Sequence, residues 1–358
     1  MRWVTVFRTG EKMAATVKDI ARQTGLGLAT ISRYLNGGKV KEQNKIAIEK
    51  AILELRFTVN EFARSLKTSK SKTIGVIIPE LSNTFVATII TVIEDILRKN
   101  GYGVIVCDCS TDANLEKEAV QFLVNKTVDG IINMPVCKDG SHLKPALDKN
   151  LPVVLIDRTI PGLSEKVDAV VVDNVLAAKR ATSHLIENGH RKIGIIVGPG
   201  DVFTSQQRLL GYKQAYVENG LTADSSFVEF SDYTVHGGYV SMNRLRAAHR
   251  DLSAVFVTNY EMTLGAIIAI NEAGIKLPSE LSVIGFDNLQ LSQIVKPRLT
   301  IITQPLDEIG EQAAARMLER LSGDESMKAT TVTLSTRLQL GESVLKKSQE
   351  GDEGILKS

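Results

Sequence analysis

The chain has 358 residues, of which 43% are hydrophobic and 23% charged, so it can bury a sizeable core and more than one domain. No run of about 18 or more apolar residues occurs, which excludes an obvious membrane span, and the N-terminus lacks the apolar run of a secretory signal. We therefore expect a cytoplasmic, nucleoid-associated location with no membrane partner. Cys107, Cys109 and Cys137 show no zinc-ligand spacing and are expected to be reduced thiols.

Charge is distributed unevenly along the chain. Residues 13–72 carry 12 basic and 5 acidic side chains, whereas the chain after residue 72 carries 28 basic and 35 acidic ones. A basic segment binds a polyanion because cationic side chains release counterions from phosphate, and an acidic body limits nonspecific adhesion. This asymmetry is typical of a DNA-binding module joined to a sensor, although a solvated Lys-rich surface would give the same counts.

Three short helices are predicted within residues 13–58. The first is capped by Thr16 and ends at Gly25, the second spans about 28–35, and the third spans about 42–55. The small Ala21, the turn residue Gly25 and the apolar Ile31 suit two helices that cross at a steep angle. The outward face of the second helix would carry Arg33 toward a major groove. The spacing favours a helix-turn-helix, and the alternative is a small helical subdomain.

Two runs in this head, Thr16–Gly25 and Ala29–Asn36, together with Asn60–Leu66, resemble the lactose-repressor (LacI) family of bacterial regulators, and the resemblance covers residues 14–342. It implies a sequence-specific repressor that binds double-stranded operator DNA, with a helix-turn-helix in residues 13–58, a hinge helix and linker in 59–72, and an N-terminal extension in 1–12. The resemblance assigns contacts with base edges to Leu28, Ala29 and Arg33. It assigns phosphate contacts to Thr16, Thr30, Ser32 and Asn36. It places Asn60, Ala63 and Leu66 in the hinge helix that enters the minor groove.

In residues 73–345, apolar β-rich runs alternate with amphipathic helices, as in doubly wound α/β sheets. The number of βα units exceeds one sheet and predicts two similar lobes. The fold class is thus an all-α head on an α/β core of two doubly wound lobes, and the resemblance implies the type I periplasmic-binding-protein arrangement. We expect the N-terminal lobe in about 73–172 and 302–334, the C-terminal lobe in about 173–301 and 335–345, and a flexible tail in 346–358.

Polar residues follow several of the predicted strands, and ligands of such folds lie beyond the carboxyl ends of strands. Asp, Asn and Arg side chains with aromatic neighbours suit a polyhydroxylated ligand, so a sugar or related metabolite is the expected effector. The resemblance supports four of these residues as effector contacts: Arg208, Tyr233, Asn259 and Asp287. In contrast, Tyr260 stands where the family usually has an aspartate. The complete set of expected effector contacts is Phe85, Asp157, Thr204, Arg208, Tyr233, Asn259 and Asp287.

Other functions have less support in the sequence. Gly198-Pro199-Gly200 lacks the third glycine of a dinucleotide loop, and neither a nucleophile with an evident base nor a histidine pair with metal-ligand spacing is found. We expect a non-enzyme without cofactor or metal. The tail has no leucine heptads, which favours a homodimer over a tetramer. Two alternatives stay open: a regulator controlled mainly by a protein partner, and a sugar-binding protein without DNA function.

Overall fold

A computed structural model describes residues 15–35, 37–57, 70–287, 289–323 and 327–347. Contacts divide the chain between Ser71 and Lys72 into a small N-terminal unit and a large C-terminal unit. Lys72 already belongs to the core, because its backbone N–H donates to Asp129 at 3.0 Å. Within the described ranges, no helix combines the length and apolar character needed to cross a bilayer.

The N-terminal unit contains the three predicted helices, α1 (Val17–Thr24), α2 (Leu28–Leu35) and α3 (Glu42–Leu55). At the start of α1 the Asp19 carboxylate accepts from the Thr16 N–H at 2.9 Å and from its hydroxyl at 2.7 Å, and at the end Gly25 adopts a φ of 68°. A left-handed φ of this kind favours glycine, which explains why the helix ends there. The helices enclose one apolar cluster, whose buried members are Ile20, Ile31, Ile48, Ala51 and Phe57.

The first lobe of the C-terminal unit is built on a parallel six-stranded sheet. Its strands are β1 (Thr73–Ile78), β2 (Gly103–Asp108), β3 (Gly130–Asn133), β4 (Val153–Ile156), β5 (Asp168–Val172) and β11 (Thr331–Leu334), in the order β11-β5-β4-β3-β1-β2. Helices α4 (Thr84–Lys99) and α12 (Leu306–Leu321) cover one face, and α5 (Ala113–Asn125) and α6 (Lys144–Leu147) cover the other. Burial of β3, β4 and β5 on both faces explains their continuous apolar runs.

The second lobe repeats this plan. Its strands are β6 (Ile193–Val197), β7 (Val228–Phe230), β8 (Ala254–Val257), β9 (Ser282–Phe286), β10 (Thr300–Thr303) and β12 (Arg337–Gln339), in the order β12-β10-β9-β8-β6-β7, with β12 antiparallel. Helices α7 (Asn174–Glu187) and α8 (Phe203–Glu218) pack on one face, and α9 (Val235–Ala248) and α10 (Tyr260–Glu272) pack on the other. The short helix α11 (Leu289–Ile294) precedes β10. The fold class expected from the sequence is confirmed.

Two of the predicted boundaries are wrong by a few residues. The first lobe was expected to resume at residue 302, but Ile302 pairs with Phe286 and Leu338, so all of β10 belongs to the second lobe. The flexible tail was expected from residue 346, yet the Lys347 N–H donates to the Asn188 carbonyl at 2.9 Å. The first error arises because an apolar strand does not specify which sheet it joins, and the second because backbone pairing extends order beyond the point where the apolar pattern ends.

A buried ion pair ties α12 to the first sheet. The Asp168 side chain, 2% exposed at the start of β5, accepts from Arg320 Nε at 2.6 Å and Nη2 at 3.1 Å. We expect Arg320→Met to destabilise the core by about 3–5 kcal/mol in urea unfolding, because it leaves a buried carboxylate without its cation. Arg316→Met is the matched control: its partner Glu319 is largely exposed, so the loss should stay below about 1 kcal/mol. Equal losses from both variants would contradict this assignment.

Candidate functional site

The second sheet gathers polar side chains at the carboxyl ends of its strands. Gly198 follows β6, Tyr233 lies beyond β7, Asn259 lies beyond β8, Asp287 follows β9 and Gln304 follows β10. Carboxyl ends of parallel strands meet at one edge of a sheet, where doubly wound folds bind ligands. The strand-end residues predicted from sequence in this lobe therefore share one edge.

Arg208 is held rigidly at this edge although it is only 4% exposed. Its Nε donates to Asn174 Oδ1 at 2.8 Å, its Nη1 donates to the Thr258 carbonyl at 2.5 Å, and its guanidinium carbon lies 3.9 Å from the ring centroid of Phe286. A buried cation is tolerated only when hydrogen bonds and opposite charge compensate its desolvation. These contacts leave a fixed, positive, planar group that can donate hydrogen bonds to a ligand.

Asp287 carries the opposite charge, close enough to Arg208 for the arginine to lower the pKa of this carboxyl. Burial raises the pKa of Asp287 to about 6, against the lowering effects of Arg208 and of the hydrogen bond from Gln304 Nε2 at 2.8 Å. The negative charges of Asp157 and Glu261 raise this pKa further. A ligand hydroxyl that donates a hydrogen bond to this buried carboxylate would stabilise its charged form.

The charge of Asp157 reaches this site from the other lobe. Asp157 follows β4, and its carboxylate accepts from Arg158 Nε at 3.1 Å, while Arg158 Nη1 donates to the Pro135 carbonyl at 3.2 Å. A second connection between the lobes is the exposed ion pair of Lys138 and Asp201. Carboxylates of both lobes therefore act on Asp287.

Tyr233 is fixed next to the start of α8. Its hydroxyl is 3.0 Å from Thr204 Oγ1 and 2.6 Å from Ser205 Oγ, and its ring lies against Gly198, where an added Cβ would come within 2.1 Å of the ring. Gly198 is therefore needed to admit the aromatic ring. This packing accounts for Gly198 without a dinucleotide.

Asn259 and Phe85 have structural partners of their own. Asn259 Oδ1 accepts from the Met262 N–H at 2.9 Å and caps α10, and its Nδ2 donates to Glu261. Burial raises the pKa of Glu261, and the like charge of Glu80 in the first lobe adds to the rise. The Phe85 ring packs against the core of the first lobe. The roles of Asn259 and Phe85 as effector contacts therefore remain predictions.

Sequence reasoning missed Asn174, Gln304 and Glu261. Asn174 follows β5 and Gln304 follows β10, so the strand-end rule that selected Asp287 could have selected both. Each lies where the chain passes between the lobes, and each holds a charged residue of the site: Asn174 holds Arg208 and Gln304 holds Asp287. Glu261 carries no such signal, because it lies within the first turn of a helix.

In the head, α2 presents an exposed face. Leu28 is 48% exposed, Ala29 and Arg33 are also exposed, and Thr30 and Ser32 are half-buried. Ile31 lies on the opposite side in the apolar cluster. The hydroxyl of Thr16, expected to contact phosphate, instead donates to Asp19 in this structure. The other expected DNA contacts lie outside the described residues: Asn36, Asn60, Ala63 and Leu66.

Comparison with known proteins gives one consistent result. Residues 16–60 match the family described as bacterial regulatory proteins, lacI family, and residues 182–344 match the periplasmic binding protein-like domain. The chain is 34% identical over 319 residues to the HTH-type transcriptional repressor CytR of Escherichia coli K12, covering 87% of this chain and 92% of that protein. It is 32% identical over 333 residues to catabolite control protein A of Priestia megaterium, covering 92% and 99%. The solved complex of the transcriptional regulator CelR with cellobiose superimposes with a TM-score of 0.71 at 27% identity, covering 92% of this chain and 99% of that one.

Proposed function

Because this chain belongs to the lacI family of bacterial regulatory proteins, we propose that it is a repressor whose affinity for operator DNA is set by a sugar-like metabolite bound between its lobes. The observation that carries the effector site is the buried pair of Arg208 and Asp287 at the strand ends, with Asp157 reaching it from the first lobe. Fixed donor and acceptor groups of this kind suit neighbouring hydroxyls. The similar regulator CelR was solved with cellobiose, which supports a ligand of this class.

The mechanism follows from where the supporting residues lie. A ligand bound by Arg208 and Asp287 also acts on Asn174 and Gln304, which sit at two of the passages between the lobes. A ligand that contacts carboxylates of both lobes binds better at one angle between the lobes than at another. This difference in affinity is what allows the ligand to shift the equilibrium between the two conformations. Coupling of this kind changes operator affinity by about 1–3 kcal/mol. We assign the chain no catalytic step, and a role at the nucleoid follows from operator binding.

For DNA, we propose that Leu28, Ala29 and Arg33 on the exposed face of α2 contact base edges. Of these, the guanidinium of Arg33 can donate twice to a guanine. Thr30 and Ser32 flank that face and are proposed phosphate contacts. The basic charge of residues 13–72 supplies the sequence-independent part of the affinity, which predicts a steep loss of binding with salt.

The test is fluorescence anisotropy with a labelled duplex from the chain's own upstream region, compared with a scrambled duplex. We expect Arg33→Ala to weaken operator binding by about 5–150-fold and to relax specificity at one base pair. Lys50→Ala is the matched control, because it removes one exposed cation from α3 and should leave specificity unchanged. Free sugars, sugar phosphates and nucleosides are then added to find the compound that shifts binding.

Two outcomes would overturn the proposal. Equal affinity for the operator and the scrambled duplex, with or without ligand, would remove the repressor function. Selective DNA binding that none of the small molecules changes would indicate that a protein partner, and not a metabolite, controls the repressor.

A further inference from the structure

Four side chains of different chemistry converge inside the first lobe, apart from the Arg208–Asp287 pair. Glu116 lies in the first turn of α5, Asn133 ends β3, Cys137 lies in the following loop, and His142 lies in a short 3-10 turn, Gly140–Leu143. Glu116, Asn133 and His142 are at most 3% exposed, and Cys137 is half-buried. One carboxylate oxygen, the Cys137 sulfur and one His142 nitrogen all lie within 4.8 Å of one another.

The centre of this cluster brings acceptor atoms together. His142 Nδ1 is 3.0 Å from the Asp139 carbonyl oxygen, which accepts hydrogen bonds only, so Nδ1 carries the hydrogen. In the neutral ring Nε2 is then an acceptor, and it lies 3.2 Å from Glu116 Oε1. Two lone pairs that face each other in a buried site need either a hydrogen-bond donor or a cation between them.

Glu116 and His142 each use their second polar atom in a hydrogen bond with the backbone, as metal ligands in proteins commonly do. Glu116 Oε2 accepts from the backbone N–H groups of Val136 at 3.1 Å and Cys137 at 2.6 Å, which leaves Oε1 directed to the centre. His142 Nδ1 donates to a backbone carbonyl, which fixes its ring and directs Nε2 inward. Ligating histidines and carboxylates have this support from their second atoms in metalloproteins.

Asn133 supplies a fourth candidate ligand. Its Nδ2 lies 2.9 Å from Glu116 Oε1 and 3.2 Å from His142 Nε2, while its Oδ1 is buried without a hydrogen-bond partner. A half-turn of the amide exchanges these two atoms and brings Oδ1 into the centre. The three distances of 2.9, 3.2 and 3.2 Å are close to the ligand–ligand edges of about 3.3 Å in a tetrahedral zinc site with bonds of about 2.0–2.1 Å.

We propose that this cluster binds one Zn²⁺ through Glu116 Oε1, His142 Nε2, Cys137 Sγ and Asn133 Oδ1. The carboxylate and the thiolate balance the two charges of the ion, and the half-buried Cys137 provides the path of entry. The ligands are spread over residues 116–142, which explains why spacing alone gave no metal motif.

Binding has a defined proton balance. Cysteine coordinates zinc as the thiolate, so the Cys137 thiol must lose its proton when the metal binds. Formation of the Zn–S bond releases that proton to solvent. Zinc affinity is therefore expected to rise with pH, as for other thiolate sites.

The full-length protein is tested with Zn²⁺ and with Co²⁺ as a spectroscopic substitute. We expect about one zinc ion per chain after dialysis, and a cobalt form with the thiolate charge-transfer and ligand-field absorption of a tetrahedral site. Cys137→Ser should weaken Zn²⁺ binding by more than about 100-fold and remove the charge-transfer absorption. Cys107→Ser is the matched control, because it removes a half-buried cysteine from β2 and should leave both unchanged.

A second variant separates the loss of a ligand from the loss of the fold. Asn133→Asp keeps the shape of the side chain and places an anionic oxygen at the same position, so it should retain the cobalt spectrum. Far-ultraviolet circular dichroism establishes that each variant is folded. The proposal is overturned if zinc stays well below one equivalent in the wild type, if cobalt shows no thiolate absorption, or if Cys107→Ser and Cys137→Ser lose zinc equally.

Discussion

Asp287→Asn is expected to stabilise the core while it weakens the binding of effector. Asp287 has a folded-state pKa of about 6, above its ordinary value of 3.8, so its contribution to stability falls as pH rises from about 4 to about 6 and stays lost above that. This shift corresponds to at most about 3 kcal/mol. Asparagine avoids the loss, keeps an oxygen for Gln304 and tolerates the φ of 60° at this position.

The measurement is urea unfolding at two pH values, paired with effector titration. The variant should exceed the wild type by about 1–3 kcal/mol at pH 8, and the advantage should vanish near pH 4, where the wild-type carboxyl is protonated in both states. Effector affinity should fall by about 10–100-fold, because a hydrogen bond to a charged group is lost. Asp251→Asn, an exposed carboxylate of the same lobe, is the control and should change neither quantity. An unaltered effector response in Asp287→Asn would remove this residue from the site.

Ile31→Ala is expected to unfold the head and leave the core intact. Ile31 is fully buried among the three helices, and truncation of a buried isoleucine costs about 2–5 kcal/mol. A helical unit of this size has only about 3–5 kcal/mol of stability to lose. Because the head and the core are separate contact units, effector binding should persist while operator binding disappears.

The control for this prediction is Ile46→Ala in α3. Ile46 is 59% exposed, so its truncation should change the stability of the head by less than about 0.5 kcal/mol and keep operator binding. Differential scanning calorimetry separates the transition of the head from that of the core. A shift of the core transition in Ile31→Ala would contradict independent folding of the two units.

Periodicity was sufficient to predict most of the fold. It placed α2 and α3 at their observed bounds, and it predicted the alternation of strands and helices in the core, because apolar runs bounded by turn residues mark strands that are buried on both faces. It missed β7, Val228–Phe230, because three half-exposed residues give no apolar run. It also assigned the end of β10 to the wrong lobe, because an apolar strand does not specify which sheet it joins.

The sequence likewise predicted only part of the candidate sites. Strand-end reasoning selected Arg208 and Asp287. It could also have selected Asn174 and Gln304, which follow β5 and β10, but it gave no indication that these amides hold the two charged residues. The cluster around Glu116 was not visible in the sequence either. Its members come from a helix, a strand, a loop and a 3-10 turn, and only the tertiary fold brings them together.

The pairing of β11 with β5 has a consequence for synthesis of the chain. The two strands are parallel neighbours, with Thr331 opposite Ala169 and Leu334 opposite Val172, yet the whole of the second lobe except β12 and the final residues lies between them in sequence. At about 5–20 residues per second, a ribosome needs roughly 10–30 s to add that intervening segment. During this interval the nascent first lobe exposes the unpaired edge of β5 and lacks the cover of α12. Such an edge can pair with another chain, so this is the stage at which a chaperone would protect the protein from aggregation.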